Sequence, residues 1–198
     1  MSGEEAEPRV LLSVVLGDAN VLYPRVLRDY ILYAMARQLI GVRWSKEILD
    51  EVVEHLMENI EGFDNAAGER LVTAMNRTFP YSQVELTDEA TAAVGRFTLT
   101  DEDDRHVIAA AVAADATFLC SDDRVGFPPE VMATLGIETI TSDALLRNPG
   151  RGGTGGDDQV HRTATSRLPG ATDESTIAAL RGAKAYRTAE LMEELLRM

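Results

Sequence analysis

Four acidic residues stand where chemistry could be done. Asp18 closes the apolar run 10–17, VLLSVVLG. Glu51 lies in a helical pattern, one turn after Glu47 and one turn before Glu54. Asp104 falls in the first turn of a second helical pattern, and Asp123 follows the apolar run 116–120. Carboxylates that converge from distant parts of a chain offer Mg²⁺ or Mn²⁺ the hard oxygen ligands these ions prefer. Ions held this way generate hydroxide and stabilise the oxygen displaced in phosphodiester hydrolysis. Any one of the four alone reads as a solvated acid, because the chain carries 33 of them. Two at strand ends, with a third opening the helix between, are less easily given to coincidence.

The elements that must position these acids follow from the same stretches. In 100–123, Thr100 is expected to cap a helix whose first turn holds Asp101 to Asp104, favoured by the positive end of the helix dipole. The helix continues over 106–114 with Val107, Ile108, Ala111 and Val112 on one side, and Asp115 stops it. A short buried strand over 116–120 then ends in Ser121, Asp122 and Asp123. The run 10–17, apolar and rich in β-branched residues, has the pattern of a strand buried on both faces of a parallel sheet. In open α/β sheets, ligands bind beyond the carboxyl ends of the strands, which is where these acids fall.

Between the two runs, Pro24 opens a helix over 25–40 with Val26, Leu27, Tyr30, Ile31, Ala34 and Leu39 facing the core, and Gly41 ends it. A short strand at 42–44 precedes Ser45, the N-cap of a helix reaching about residue 59. A further helix covers 64–79, a short strand falls within 81–86, and Thr87 caps another helix. After the second acidic tip, Pro128-Pro129-Glu130 opens a helix closed by Gly136. A strand at 137–140 and a helical turn at 142–147 follow. Strands separated by helices predict a small parallel sheet covered on both sides.

The chain has 198 residues and 45% hydrophobic content, enough for one domain with a tail. Its single cysteine, Cys120, reads as a core residue and fits a reducing cytosol. The acidic N-terminus, with residues 1–8 expected to be a disordered leader, has no secretory h-region. No apolar stretch approaches the length of a membrane span, so a cytoplasmic protein is expected. Seven basic and seven acidic residues cancel across 150–198, so the whole net charge of −14 falls on the first 149 residues. An acidic body argues against tight nonspecific nucleic-acid binding. It does not exclude an enzyme that reaches phosphate through bound metal.

Residues 149–170, rich in Gly, Thr, Ser and Pro, predict a flexible linker. Thr172 or Asp173 then caps a final helix to about Arg197, whose partial apolar stripe either packs on its own domain or meets a partner. The expected division is a domain over 1–148, a linker over 149–171 and a C-terminal helix over 172–198. His55, His106 and His161 lack zinc-ligand spacing, and His106, two residues past Asp104, is expected to point away from it. Cys120 and Ser121 belong to no visible nucleophilic triad. The glycines of 152–156 have neither a strand before them nor Lys-Ser/Thr after them, so they are no phosphate loop.

The pattern over about 10–147 resembles the PIN-domain family of ribonucleases, and its VapC-type toxins in particular. The likeness is carried by Asp18-Ala-Asn20-Val-Leu-Tyr-Pro, by Trp44-Ser45 through Ile48-Leu-Asp-Glu51-Val, by Asp103-Asp104-Arg-His-Val-Ile-Ala-Ala-Ala, and by Ser121-Asp-Asp123-Arg-Val-Gly-Phe127-Pro128. It implies a three-layer α/β/α sandwich around a small parallel sheet, here with the C-terminal linker and helix added. It places the family's catalytic, metal-binding acids on Asp18, Glu51, Asp104 and Asp123, with Asp122 an alternative to Asp123. It places supporting roles on Asn20 and Ser121.

The resemblance further implies an endoribonuclease using Mg²⁺ or Mn²⁺ on RNA, and the toxin of a toxin–antitoxin pair silenced by a cognate antitoxin protein. A homodimer is in keeping with the same likeness. The alternative reading is a catalytically inert PIN-like module that binds protein through its C-terminal helix. A phosphatase or nucleotide-binding domain would want a phosphate loop or an aspartyl nucleophile motif, and neither is present.

Overall fold

The apolar run that ends at Gly17 forms the middle strand of a parallel sheet. A computed structural model describes residues 13–123, 125–147, 155–167 and 170–197. The described elements begin with β1 (Val14–Gly17), α1 (Ala19–Leu22), α2 (Arg25–Ala36), β2 (Gly41–Ser45), α3 (Lys46–Asn59), α4 (Asn65–Thr78) and β3 (Gln83–Val84). They continue with α5 (Asp88–Gly95), α6 (Arg105–Ala113), β4 (Phe118–Cys120), α7 (Pro129–Leu135), β5 (Glu138–Ile140) and α8 (Ser142–Arg147). The tail adds α9 (Gly155–Ser166), α10 (Asp173–Gly182) and α11 (Tyr186–Leu196). The predicted leader, and the first residues of the predicted strand over 10–17, lie outside the described residues.

The five strands run in the order β3-β2-β1-β4-β5, every pair parallel. From β1 the chain steps outward to β2 and β3, then returns across β1 to β4 and on to β5. Right-handed crossovers put the two sets of helices on opposite faces, which gives a three-layer α/β/α sandwich. Leu16, Ile31, Trp44, Ile48, Ile108 and Leu119 are fully buried between the layers. The reversal of direction falls between β1 and β4, where the register pairs Gly17 with Cys120. The two acidic tips are therefore neighbours at the switch point of the sheet, where a crevice opens in folds of this type.

Three predicted caps form. Ser45 Oγ accepts from the Ile48 N–H at 3.3 Å, Thr87 Oγ1 from the Ala90 N–H at 3.1 Å, and Thr172 Oγ1 from the Ser175 N–H at 3.2 Å. Thr100 forms no cap, and this expectation is corrected. Helix α6 starts only at Arg105, and Asp101 instead folds a turn by accepting from the Asp103 N–H at 3.0 Å. A short polar side chain can satisfy the backbone in a turn as well as at a helix start. Helix α2 stops at Ala36, short of Gly41, because Gln38 turns the chain with φ 59°.

The tail also departs from expectation. Within the predicted linker, α9 is helical and lies along α2, with Val160, His161 and Ala164 buried. His161 Nδ1 is hydrogen-bonded to the Tyr30 hydroxyl, and its Nε2 lies 3.1 Å from Asp173 Oδ1 at the start of α10. The predicted single C-terminal helix is two, α10 and α11, broken by a turn at Ala183–Ala185. Leu180, Ala189 and Met192 are buried as these helices pack on each other and on α2, α8 and α9. Among the described residues, no helix is long and apolar enough to cross a membrane.

Candidate functional site

Parallel pairing of β1 with β4 brings Asp18 beside Ser121, and the Asp18 N–H donates to the Cys120 carbonyl at 3.0 Å. The chain turns at once into α1, and Asp18 caps it, Oδ1 accepting from the Ala19 N–H at 2.6 Å. Oδ2 accepts from Ser121 Oγ at 2.8 Å and from Asn20 Nδ2 at 2.6 Å. The same Asn20 amide nitrogen donates to Ser121 Oγ at 2.8 Å, and Asn20 Oδ1 accepts from the Asp122 N–H at 3.0 Å. Asn20 and Ser121 thus bolt the two strand tips together around the Asp18 carboxylate.

Asp18 is only 5% exposed. Burial, set against its hydrogen bonds from Ser121 and Ala19, pushes its pKa up to about 6, and the charges of Asp104 and Glu51 push the same way. Asp104 is also raised to about 6, first by burial and then by Asp101, Asp123 and Glu51. Each of the four predicted acids is therefore within the electrostatic reach of another. Burial is the larger cause at both Asp18 and Asp104, and buried carboxylates with neighbouring acids are more frequent at functional sites than elsewhere.

The Asp104 carboxylate lies directly over Gly126. A Cβ added there would meet Asp104 Oδ2 at 2.0 Å, so the seat of this acid depends on a missing side chain. Asp123 Oδ1 accepts from the Val125 N–H at 2.8 Å, and Ser121 Oγ accepts from the Asp123 N–H at 3.0 Å. Asp122 is engaged elsewhere: its two carboxylate oxygens accept from the Ser142 N–H at 2.9 Å and the Ser142 hydroxyl at 2.7 Å. Of the two adjacent acids, Asp123 is the one whose charge reaches Asp104.

His106 does not point away from the acids. Its Nε2 lies 2.7 Å from Glu51 Oε1, while its buried Nδ1 has no hydrogen-bond partner among the described residues. The bond to Glu51 holds its pKa above the ordinary histidine range, against the opposing effect of burial. The sequence signal was an imidazole in the first turn of the helix that follows the acidic loop.

The donor set is chemically suited to a hard divalent cation: carboxylate oxygens flanked by a serine and an asparagine. Among the described residues, no three His, Cys, Asp or Glu side chains are close enough together to hold a metal ion.

Compared with known proteins, residues 10–125 match the family model described as the PIN domain. Neither the comparison with curated proteins nor that with solved structures gives a match.

Proposed function

From the premise that this chain belongs to the PIN domain family, whose members are generally nucleases, we propose that it is a metal-dependent endoribonuclease. The observation that carries this reading is the meeting of the two strand tips, where Ser121 and Asn20 hold the buried Asp18 carboxylate and Ser121 also holds the backbone of Asp123. Asp18, Glu51, Asp104 and Asp123 would hold Mg²⁺ or Mn²⁺. When bound, such an ion supplies hydroxide near neutral pH and stabilises charge on the displaced phosphodiester oxygen.

The protein's own groups prepare that site. Ser121 and Asn20 fix the rotamer of Asp18, His106 fixes that of Glu51, and the backbone at Gly126 leaves room for Asp104. Arg105 takes no part, since it donates to the Val94 and Phe97 carbonyls and pairs with Glu102. The same family likeness supports the toxin of a type II toxin–antitoxin pair, held inactive by a small antitoxin protein laid over the acidic groove. It also supports a homodimer.

The inert binding module would need its C-terminal helix free. Burial of Leu180, Ala189 and Met192 within the protein's own fold speaks against it. The deciding experiment is cleavage of total bacterial RNA with Mg²⁺ or Mn²⁺ against EDTA, beside Asp18→Ala. Discrete fragments that need both metal and Asp18 are expected. A folded protein that cuts nothing under either metal overturns the reading.

A further inference from the structure

A groove of about 440 Å³ leads away from the strand tips. Asn20, Asp122 and Asp123 line one wall, and Gly182, Ala183 and Lys184 from the α10–α11 turn line the other. This turn lies beyond residue 125, outside the stretch matched to the family.

Helix α10 ends in a Schellman turn. The Lys184 N–H donates to the Arg181 carbonyl at 3.0 Å and the Ala185 N–H to the Leu180 carbonyl at 2.9 Å. The residue after the cap must then be left-handed, and here it is Lys184, with φ 64°. Glycine suits that position best because it has no Cβ, yet the glycine of this turn, Gly182, stands two residues earlier. Three described residues other than glycine have positive φ, namely Gln38, Asp115 and Lys184, and of these Lys184 borders the groove. Lys184 is exposed, and its ammonium has no acid partner among the described residues.

The turn is also held in place from the site itself. Asp122 caps the start of α8 through Ser142. The next residue, Asp143, accepts from the Thr188 N–H at 2.8 Å, from the Thr188 hydroxyl at 2.7 Å and from the Arg187 N–H at 3.2 Å. The acidic tip of β4, α8 and the first turn of α11 are thus linked in series, which sets where Lys184 stands.

We propose that Lys184 is a substrate-binding residue that takes a backbone phosphate of single-stranded RNA beside the scissile position. The inference rests on the ribonuclease reading of the site. A polyanion approaching a body of net charge −14 meets repulsion, so an unpaired cation on the groove wall has a large share in where the strand lies. A strained backbone retained at such a wall is a common mark of a binding residue.

The test uses the full chain with Asp18→Asn, so that the RNA stays whole. The probe is a fluorescein-labelled single-stranded RNA of mixed sequence, read by anisotropy with Mg²⁺ over a series of KCl concentrations. Adding Lys184→Ala is expected to raise Kd about two- to fivefold, the range of one exposed charge contact. It should also flatten the slope of log K against log salt by about 0.7. Lys184→Arg is expected to bind like the parent and Lys184→Glu more weakly than Lys184→Ala. Lys184→Gly should bind like Lys184→Ala while melting no lower than the parent, because glycine relieves the left-handed strain. Unchanged Kd and salt slope in the alanine and glycine proteins, or no RNA binding by the parent, overturns the proposal. Whether the ribonuclease reading falls with it is decided separately, by Asp18-dependent cleavage in the otherwise wild-type chain.

Discussion

His106 Nε2 lies 2.7 Å from Glu51 Oε1, joining α6 to α3 across the mouth of the acidic crevice. The imidazole is half-buried and its Nδ1 has no partner among the described residues, so the Glu51 contact is the bond that sets the orientation of the ring. In return the ring fixes one carboxylate oxygen and leaves the other free. Partners that orient a metal ligand in this way are typically worth about ten- to a hundredfold in affinity or activity. His106→Ala is therefore expected to weaken Mn²⁺ binding about tenfold, with His106→Gln recovering part of the loss. Calorimetric titration with Mn²⁺ reads this without any RNA. An unchanged affinity in His106→Ala would remove the histidine from the site.

The Asp18 carboxyl makes stability depend on pH. Its folded pKa of about 6 lies above the usual 3.8, so the folded state binds the proton more tightly than the unfolded chain. Below about pH 4 both states are protonated and the group costs nothing. As pH rises toward and past 6, folding must leave a buried charge, and stability falls by about 3 kcal/mol in all. In EDTA the protein should thus melt higher at pH 5 than at pH 8, as far as Asp18 governs the difference. Asp18→Asn should raise the melting temperature at pH 8 and not near pH 4. The gain should be smaller than the full shift, because an amide nitrogen cannot accept from both Ser121 and Asn20. Thermal denaturation at several pH values checks this. A stabilisation of equal size at pH 4 and pH 8 would show that the charge is not its source.

Gly126 sets the position of Asp104. Its φ is not left-handed, so the backbone accepts alanine, but the new methyl carbon would stand 2.0 Å from Asp104 Oδ2. The contacted atom is the far end of a short side chain, which can swing away. Gly126→Ala should accordingly fold with a stability change within about 1 kcal/mol. Displacing a catalytic group by about an ångström costs on the order of a hundredfold in rate, and a loss of that order is expected in RNA cleavage. A Gly126→Ala protein that cuts RNA at the wild-type rate would show that the seat of Asp104 is unimportant.

The sheet was legible because its two central strands are short apolar runs with nothing else they can be, and each ends in the acids that the sheet then brings together. Pairing Gly17 with Cys120 follows from that order, and it puts Asp18 next to Ser121. Helix α9 was hidden by composition. Its buried side is Val160, His161 and Ala164, a narrow stripe in a polar stretch, completed by a histidine bonded to Tyr30 from another helix. His106 and Lys184 were hidden for a related reason. Their significance depends on where one helix starts and another turns: Thr100 is a plausible but wrong marker of the start, and the turn falls inside the stretch read as a single final helix.

Asp122 and Asp123 are adjacent, and substitution separates their roles. Both oxygens of Asp122 accept from Ser142 at the start of α8. Asp122→Ala therefore leaves the Ser142 N–H at the start of α8 without its acceptor, which should cost about 1–2 kcal/mol of stability. Asp123 caps a local turn through the Val125 N–H but also projects its charge on Asp104. Asp123→Asn keeps an oxygen for that turn, so stability should change little, and the loss of a metal-binding carboxylate should abolish cleavage. The expected pair of results is a less stable Asp122→Ala protein that still cuts RNA at saturating concentration and a stable Asp123→Asn protein that does not. Denaturant unfolding and metal-dependent cleavage, run on both variants, provide the two readouts. The opposite pattern would transfer the fourth acid of the site to Asp122.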